Sequence, residues 1–476
     1  MHRATSFLPT EIFSRNLFRI QNLRRASCLS TSSHANIPIT PSRVPSYNYI
    51  EGVERAFEYR PGGYHPIGIG DTLHHRYRVV DKLGWGGCST IWLARDTTLS
   101  RYVAVKVGVA GSDDKEVEIL SRLSNPMAGS DDRGKSLFRP ILDRFSLNGP
   151  NGTHPCSVAT VARCSLAYLE DDEDRGVHDL SVVRSLAAQL AIAVRYMHKQ
   201  GFVHGGDLRS YPFLYKFKFL TQVLLDLHLG NILLQLPQSF DDMSDQQIYD
   251  RFGMPDPIAV YRTDGGPLPP GVPSHVFEPQ PSDVTGSNIT LPESRILLAD
   301  LGRAFCPALE SRLESYTTVG LRPPEARFEP TTSLSFASDI WGMACAIWHI
   351  AGREPVFEHL LFEEDDVTTG QVDRLGPLPP EWWEKWETRS QHFHQDGTPV
   401  PIRTPITWEQ RFEETIQQPR REEGMGAFDQ NESQAFQEML RGMLVYRPGD
   451  RLTADQVLNT RWMREWAIPE WEKIEK

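Results

Sequence analysis

The sequence predicts an α+β protein in which a strand-rich region precedes a mainly helical one. From Tyr77 to Lys106, short apolar runs alternate with a glycine-rich turn, a pattern typical of antiparallel strands. Residues 180–199 repeat apolar side chains at intervals of three and four, which predicts a helix. The apolar runs 232–234 and 296–299 are short enough for buried strands. With 476 residues, the chain can form two or three domains, or one two-lobed enzyme with additions.

Composition and charge argue against several classes of function. No apolar run approaches the roughly 20 residues needed to cross a bilayer, so we expect no membrane insertion. The formal charge of −12 argues against direct binding to nucleic acid and suits a basic partner. The six cysteines lie far apart, without metal-ligand spacing, which indicates a reducing compartment and neither disulfides nor a zinc site.

The first 34 residues differ from the rest of the chain. They contain five arginines, six serines and a single acidic residue. At helical spacing Phe13, Leu17 and Ile20 share one face, which is typical of an organelle transit peptide. A disordered basic tail is the alternative. Residues 1–57 are therefore interpreted as a basic tail or a transit-like segment, with mitochondrial targeting as one of the two hypotheses.

The stretch from Asp226 to Asn231 carries the chemistry. An Asp with an Asn five residues later, followed by the apolar run 232–234, is typical of a phosphotransferase catalytic loop. The Asp orients the incoming hydroxyl and accepts its proton, while the Asn amide oxygen ligates Mg²⁺ on the phosphates. This spacing alone is common by chance, so its weight depends on the motifs around it.

A glycine-rich turn and a strand lysine precede this loop. Glycines in such a turn let the backbone approach phosphate oxygens without a Cβ in the way. Ser89 replaces the third glycine of the usual pattern, so the match is partial. The apolar strand 103–106 ends in Lys106, and Glu116 opens an amphipathic helix; a strand Lys and a helix Glu pair to hold the α- and β-phosphates. The candidate nucleotide-binding residues are Leu83, Gly84, Trp85, Gly86, Gly87, Cys88, Ser89, Ile91, Ala104 and Lys106.

These motifs resemble those of protein kinases, and within them the family of SR-protein kinases, which phosphorylate arginine/serine-rich splicing factors. The lead-in 59–67, the stretch 83–94 and residues 151–154 carry the closer resemblance, which covers roughly residues 58–465. It implies a two-lobed protein kinase fold. A small antiparallel β-rich lobe is expected near 77–162, a large helical lobe from about 165 to 465, and a C-terminal tail over 466–476.

The resemblance also implies a set of site residues with ATP and Mg²⁺ as cofactors. The run Asp300-Leu301-Gly302 is similar to the Asp-Phe-Gly motif, whose Asp ligates Mg²⁺. Thr318 aligns with a threonine that hydrogen-bonds near the catalytic Asp in Ser/Thr kinases. The implied catalytic residues are Asp226, Lys106, Glu116 and Thr318, and the implied metal ligands are Asn231 and Asp300.

Three further residues match structural positions of the family. Glu325 ends a Pro-Pro-Glu motif that stands where Ala-Pro-Glu is usual, and Arg451 matches the arginine that pairs with that glutamate. Asp339 matches the residue that anchors the catalytic-loop backbone. We therefore expect a buried Glu325–Arg451 ion pair.

A run of 20 residues, 206–225, interrupts the catalytic loop. Removing it joins His204-Gly205 to Asp226 and restores the sequence HGDLHLGN. Our hypothesis is that this run translates an unspliced intron, since it is in frame and its end codons can contain the GT and AG splice signals. A genuine surface insertion is the alternative. Asp207 cannot replace Asp226, because Pro212 rather than Asn stands five residues after it.

Two departures keep competing functions open. Gly205 replaces the arginine that pairs with a phosphorylated activation loop, and His228 replaces a catalytic-loop lysine. HGDLHLGN is also similar to the loop of small-molecule phosphotransferases such as aminoglycoside and choline kinases. A pseudokinase, a kinase-shaped binding module without turnover, is the third hypothesis.

The polar stretch 237–293 is interpreted as a structureless spacer.

The resemblance finally implies partners and location. A serine/threonine kinase of this family acts on protein substrates, with arginine/serine-rich proteins as the expected class. We expect a monomer, located in the cytoplasm and nucleus.

Overall fold

The structure of the protein is a computed structural model. It describes residues 45–125, 132–170, 176–205, 229–280, 289–313, 319–357 and 363–475, which lie in one compact unit that starts at Pro45. Asp226, His228, Thr318, the interruption 206–225 and the proposed targeting segment lie outside the described residues.

The small lobe is built on an antiparallel sheet. Within the described residues its strand order is β1-β2-β3-β4-β6-β5. Alternating positions on these strands bury one apolar face, which includes Val79, Trp92, Val105 and Val158. The strands of the protein are β1 (Thr72–Leu73), β2 (Tyr77–Gly86), β3 (Ser89–Asp96), β4 (Arg101–Gly108), β5 (Ile141–Gly149), β6 (Gly152–Ala159), β7 (Ala162–Ser165), β8 (Ile232–Gln235), β9 (Ile258–Ala259), β10 (His275–Val276) and β11 (Ile296–Leu298).

The large lobe is mainly helical and packs around one central helix. The helices of the protein are α1 (Lys115–Ser124), α2 (Leu180–Lys199), α3 (Asp245–Phe252), α4 (Pro324–Phe328), α5 (Phe336–Ala351), α6 (Glu364–Leu375), α7 (Pro380–Lys385), α8 (Trp408–Phe412), α9 (Gln418–Glu423), α10 (Gln430–Met443), α11 (Ala454–Leu458) and α12 (Ile468–Glu475). The Asp179 carboxylate caps the start of α2 by accepting from the Ser181 N–H at 2.8 Å. The predicted helix over 180–199 and the predicted two-lobed α+β fold are both confirmed.

Helix α2 is also long and apolar enough to cross a membrane by length and composition. Of its most apolar 18-residue window, 78% is buried inside the protein. Since its side chains form the centre of the large-lobe core, α2 is a core helix. Within the described residues it is the one helix that passes this test.

A second small sheet positions the catalytic machinery. Its strand order is β11-β8-β7, and β8 and β11 pair antiparallel with Ile232 opposite Leu298. The residue before β8 is Asn231, and the second residue after β11 is Asp300. The two predicted metal ligands therefore stand at the same end of two paired strands.

The interpretation of 237–293 as a structureless spacer is wrong for the residues that the structure describes. Helix α3 begins at a complete capping box formed by Ser244 and Gln247. Its Ile248 is fully buried against the outer face of the small lobe. The Tyr102 hydroxyl donates to Asp245 at 2.8 Å. The capping residues and the apolar Ile248 are the sequence features that indicate this helix. The polar residues around them gave no indication that Ile248 would pack against the small lobe.

The compact unit also extends beyond both ends of the segment with family resemblance. Val53 and Glu54, which were assigned to the N-terminal tail, are 2% exposed. Trp471, assigned to the C-terminal tail, lies on α12 and is 4% exposed in the large-lobe core. Because a tail has no reason to bury such side chains, both ends belong to the folded unit.

Asp81 on β2 predicts a measurable pH dependence. It is 2% exposed and its side chain accepts from the Lys82 N–H at 2.7 Å. Burial raises the pKa of Asp81 to about 7. A carboxyl whose pKa is higher folded than unfolded binds more protons in the folded state. Its contribution to stability is therefore greatest below the unfolded pKa of about 4 and declines as pH rises to about 7.

Asp81→Asn removes this titration and keeps a hydrogen-bond acceptor. We expect the variant to be more stable than wild type at pH 8, with a smaller advantage at pH 5. Urea unfolding of both proteins at the two pH values measures the difference. An advantage that does not change with pH would contradict the buried ionisation.

Candidate active site

The glycine-rich turn closes a hairpin over the strand that carries Lys106. Gly86 pairs with Ser89, so β2 and β3 are joined by the two exposed residues Gly87 and Cys88. In the adjacent ladder, Ile91 stands opposite Lys106. The turn and Lys106 therefore lie in the same sheet. Ile91, the residue opposite Lys106, stands two positions after Ser89, where the turn ends.

Ala104 lies deeper on the same strand. It stands opposite Ala159 on β6, and Ala104 is 3% exposed. Strand β6 ends there, and the chain continues through residues 160–161 into β7. The change from the small-lobe sheet to the second sheet therefore lies at residues 160–161.

Lys106, Glu116 and Asp300 form one charged group between the lobes. The Lys106 ammonium donates to the Glu116 carboxylate, which also accepts from the Leu301 N–H. Burial alone would lower the pKa of Lys106, but the charges of Glu116 and Asp300 outweigh it and raise the pKa above its ordinary value. Burial alone would raise the pKa of Glu116, and Lys106 outweighs it and lowers the pKa. Lys106 and Glu116 can therefore both be charged at neutral pH.

The two ends of the catalytic loop meet at one residue. The Ala299 N–H donates to the Asn231 carbonyl at 2.9 Å, and the Ala299 carbonyl lies 3.2 Å from His204 Nε2. His204 and Asn231 bracket the interruption. The residues on the two sides of the interruption 206–225 therefore lie close to each other, because both contact Ala299. The six residues that remain without 206–225 can form such a short loop.

Asn231 and Asp300 offer the donors that a magnesium ion prefers. Asn231 is 1% exposed, and Asp300 takes the left-handed conformation with φ of 57°, which Asp tolerates better than most residues. Amide and carboxylate oxygens suit Mg²⁺, which also takes oxygens from phosphates. The residues present therefore fit a Mg²⁺–nucleotide complex.

Asp339 anchors the start of the catalytic loop, as the sequence predicted. Its carboxylate accepts from the His204 N–H at 2.9 Å and lies 2.9 Å from His198 Nε2. Asp339 is 4% exposed, so this bond is protected from water. The predicted Glu325–Arg451 pair is also confirmed, with guanidinium–carboxylate distances of 2.9 and 2.5 Å.

The structure gives a steric reason for Gly205. Its φ is +69°, and a Cβ there would lie 2.9 Å from the Arg303 carbonyl oxygen and 3.1 Å from Arg312 Nη1. The space next to Gly205 is therefore filled by Arg312, which lies in the stretch between Asp300 and Glu325 that we call the activation segment. No sequence pattern pointed to Arg312.

Arg312 is held on several sides. Its guanidinium donates to the Arg303 carbonyl, lies 4.5 Å from the centre of the Phe305 ring, and pairs with Glu310 at 2.7 Å. Glu310 pairs in turn with Lys115 at the start of α1. The stretch around Arg312 is thus tied to α1, the helix that carries Glu116, by two ion pairs that share Glu310.

Trp85, one of the candidate nucleotide-binding residues, contacts Gly52 through its side chain. Its indole is 9% exposed and donates to the Gly52 carbonyl at 3.0 Å, so it faces the N-terminal segment. The other small-lobe residues predicted to bind nucleotide lie on β2, β3, β4 or the turn between β2 and β3. The predicted roles of Asp226 and Thr318 concern residues outside the described part of the chain and stay predictions.

Comparisons with known proteins find similarity to protein kinases. Over 440 residues the chain is 24% identical to a serine/threonine protein kinase of Aspergillus fumigatus, which covers 90% of this chain and 93% of the relative. It is 25% identical over 427 residues to the serine/threonine-protein kinase SRPK of Physarum polycephalum, covering 87% and 91%. It is 40% identical over 157 residues to protein kinase dsk1 of Schizosaccharomyces pombe, covering 32% and 29%.

The higher identities are confined to short regions. The chain spans less than a third of the length of the relatives that share 40% identity with it. No protein-family profile matches the chain.

Proposed function

We propose that this chain, which is similar to serine/threonine protein kinases over most of its length, transfers the γ-phosphate of ATP to Ser or Thr hydroxyls of proteins. The observation that carries the proposal is the contact between Glu116, Lys106 and the Leu301 N–H. This contact fixes the positions of Lys106, of the helix that carries Glu116 and of the backbone next to Asp300 relative to one another. Transfer of a phosphoryl group depends mainly on such positioning and on charge stabilisation.

ATP is the proposed nucleotide and Mg²⁺ the proposed ion. Lys106 would hold the α- and β-phosphates, and Glu116 would keep the ammonium in place. Asn231 and Asp300 would ligate the ion, which neutralises charge on the phosphates during transfer. Asp226 would accept the proton of the attacking hydroxyl.

Arginine/serine-rich proteins are the proposed substrate class. The names of the relatives and the net charge of −12 both support a basic substrate. A negative protein field raises the association rate of a positively charged partner. The cytoplasm and nucleus are the proposed locations, and mitochondrial targeting by the N-terminal segment is the alternative.

A substrate panel tests the proposal. We expect phosphate to enter an Arg-Ser repeat peptide but not the same peptide with Ala in place of Ser, and not an aminoglycoside or choline. The assay uses radiolabelled ATP with Mg²⁺, on the chain with and without residues 206–225. Sequencing the message across codons 200–235 shows which form the cell makes.

The other outcomes identify the competing functions. Phosphorylation of the aminoglycoside or choline would favour a small-molecule phosphotransferase. Binding of ATP without transfer to any of these acceptors, in both forms, would favour a pseudokinase.

A further inference from the structure

Two segments that are distant in sequence meet at the glycine-rich hairpin. We call residues 52–64 and 258–276 together the clasp. They share an apolar cluster that includes Val53, Tyr64 and Val272. The first segment precedes the small lobe, and the second comes from the stretch between the catalytic loop and Asp300. The clasp therefore joins distant parts of the chain.

The clasp is attached to β2 by buried polar contacts. Glu54 forms an ion pair with Lys82, and the two side chains are 1% and 0% exposed. The Tyr59 hydroxyl donates to the same Glu54 carboxylate. Breaking a buried pair on one side is strongly unfavourable, so this attachment is rigid.

Asn151 joins the two halves of the clasp. Its side-chain amide donates to the Tyr64 carbonyl at 2.7 Å and to the Gly271 carbonyl at 2.8 Å. Its backbone carbonyl accepts from the Gly62 N–H at 2.9 Å. Asn151 is 3% exposed, so these bonds are protected from water.

Tyr64 connects the clasp to the turn itself. Its hydroxyl donates to the Gly86 carbonyl at 2.7 Å, and the Tyr64 side chain is buried. In a planar trans peptide, the C=O of one residue and the N–H of the next point in opposite directions. Holding the Gly86 C=O therefore fixes the direction of the Gly87 N–H, which points away from Tyr64.

A second bond holds the other side of the turn. The Val109 N–H donates to the Cys88 carbonyl at 2.9 Å, and the neighbouring Ala110 N–H donates to the Gly63 carbonyl at 3.0 Å. The carbonyls of Gly86 and Cys88, the two residues that flank Gly87, therefore each accept a hydrogen bond. Glycine is otherwise the most flexible residue, and a free Gly-Gly pair would lose much conformational entropy on binding a phosphate.

We propose that Tyr64 is a positioning residue for the nucleotide, because its hydroxyl bond to Gly86 preorients the Gly87 N–H toward the phosphates. The inference rests on the proposed ATP-dependent function. Preorganised donors bind an anion more tightly because little entropy remains to be lost. The clasp therefore sets the affinity for ATP without touching it, and its action is on nucleotide binding rather than on transfer.

Tyr64→Phe tests this with the loss of one oxygen atom. We expect the Kd for a non-hydrolysable ATP analogue with Mg²⁺ to rise about threefold to tenfold, the usual range for one hydrogen bond. The KM for ATP should rise similarly, while kcat at saturating ATP stays near that of wild type. Calorimetry on the full chain gives the Kd, and steady-state assays give the split between KM and kcat.

Tyr77→Phe is the matched control. Tyr77 begins β2, at the opposite end of the strand from Gly86. The buried hydroxyl of Tyr77 donates to Asp143 at 2.5 Å. We expect its ATP affinity to equal that of wild type. Equal affinity of Tyr64→Phe and wild type, or equal weakening in both variants, would overturn the positioning role.

The same titrations separate this proposal from the proposed function. If wild type binds the analogue and Tyr64→Phe binds it more weakly, the positioning role stands even if no acceptor is phosphorylated, and only the transfer function fails. A wild-type chain that binds no nucleotide would contradict both proposals.

Discussion

Asp226→Asn is expected to abolish phosphate transfer while ATP binding stays nearly intact. The carboxylate accepts the proton of the attacking hydroxyl, and an amide of the same size cannot do so. The binding groups Lys106, Glu116 and Asp300 are contributed by other elements and are unchanged. We expect the transfer rate to fall by at least about 100-fold, the lower limit for loss of a catalytic base, with an unchanged Kd for ATP.

Asp207→Asn is the control for that variant. Asp207 also follows the His204-Gly205 pair, but it has no Asn five residues later. In the chain that contains residues 206–225, we expect this variant to keep the transfer rate of the parent protein. Quenched-flow or steady-state measurement of phosphate incorporation compares the two. Undiminished turnover in Asp226→Asn, or loss of turnover in Asp207→Asn alone, would refute the assignment of the catalytic Asp.

Arg451→Met is expected to destabilise the large lobe strongly. The guanidinium is fully buried, pairs with Glu325, and also donates to the carbonyls of Val445, Ala337 and Tyr446 at 2.7–2.9 Å. Removing it leaves a buried carboxylate and three carbonyls without their donor. We expect about 3–5 kcal/mol of lost unfolding free energy, the usual cost of breaking a buried pair on one side.

Arg441→Met is the matched control for this experiment. Arg441 pairs with Glu409 at 2.7 Å, but the two side chains are 46% and 71% exposed. An exposed pair contributes about 0–1 kcal/mol because water and salt screen it. Urea unfolding of both variants measures the difference. Adding Glu325→Gln to Arg451→Met should recover part of the loss, since the unpaired charge is then removed. Equal losses in Arg451→Met and Arg441→Met would contradict the structural role.

The predictions from sequence were strongest where chemistry requires particular residues at short spacing. Lys106 and Glu116 were paired correctly because a strand lysine and a helix glutamate have one geometric solution in this order. Asp339 and the Glu325–Arg451 pair were predicted from the resemblance to protein kinases, since each residue occurs in a local motif of that family. The sequence alone thus determined the fold class, the order of the landmarks and the chemical type of each proposed site residue.

Tertiary structure decided what depends on contacts between distant residues. The clasp joins Tyr64 to Asn151 and Gly271, and no local pattern reveals which polar groups will be buried together. The same holds for Arg312, whose place beside Gly205 follows from the path of the activation segment rather than from its own neighbours in sequence. Local patterns specify helices, strands and reactive groups because these depend on residues within a few positions. Burial and hydrogen-bond partners depend on the packed chain, and only the packed chain determines them.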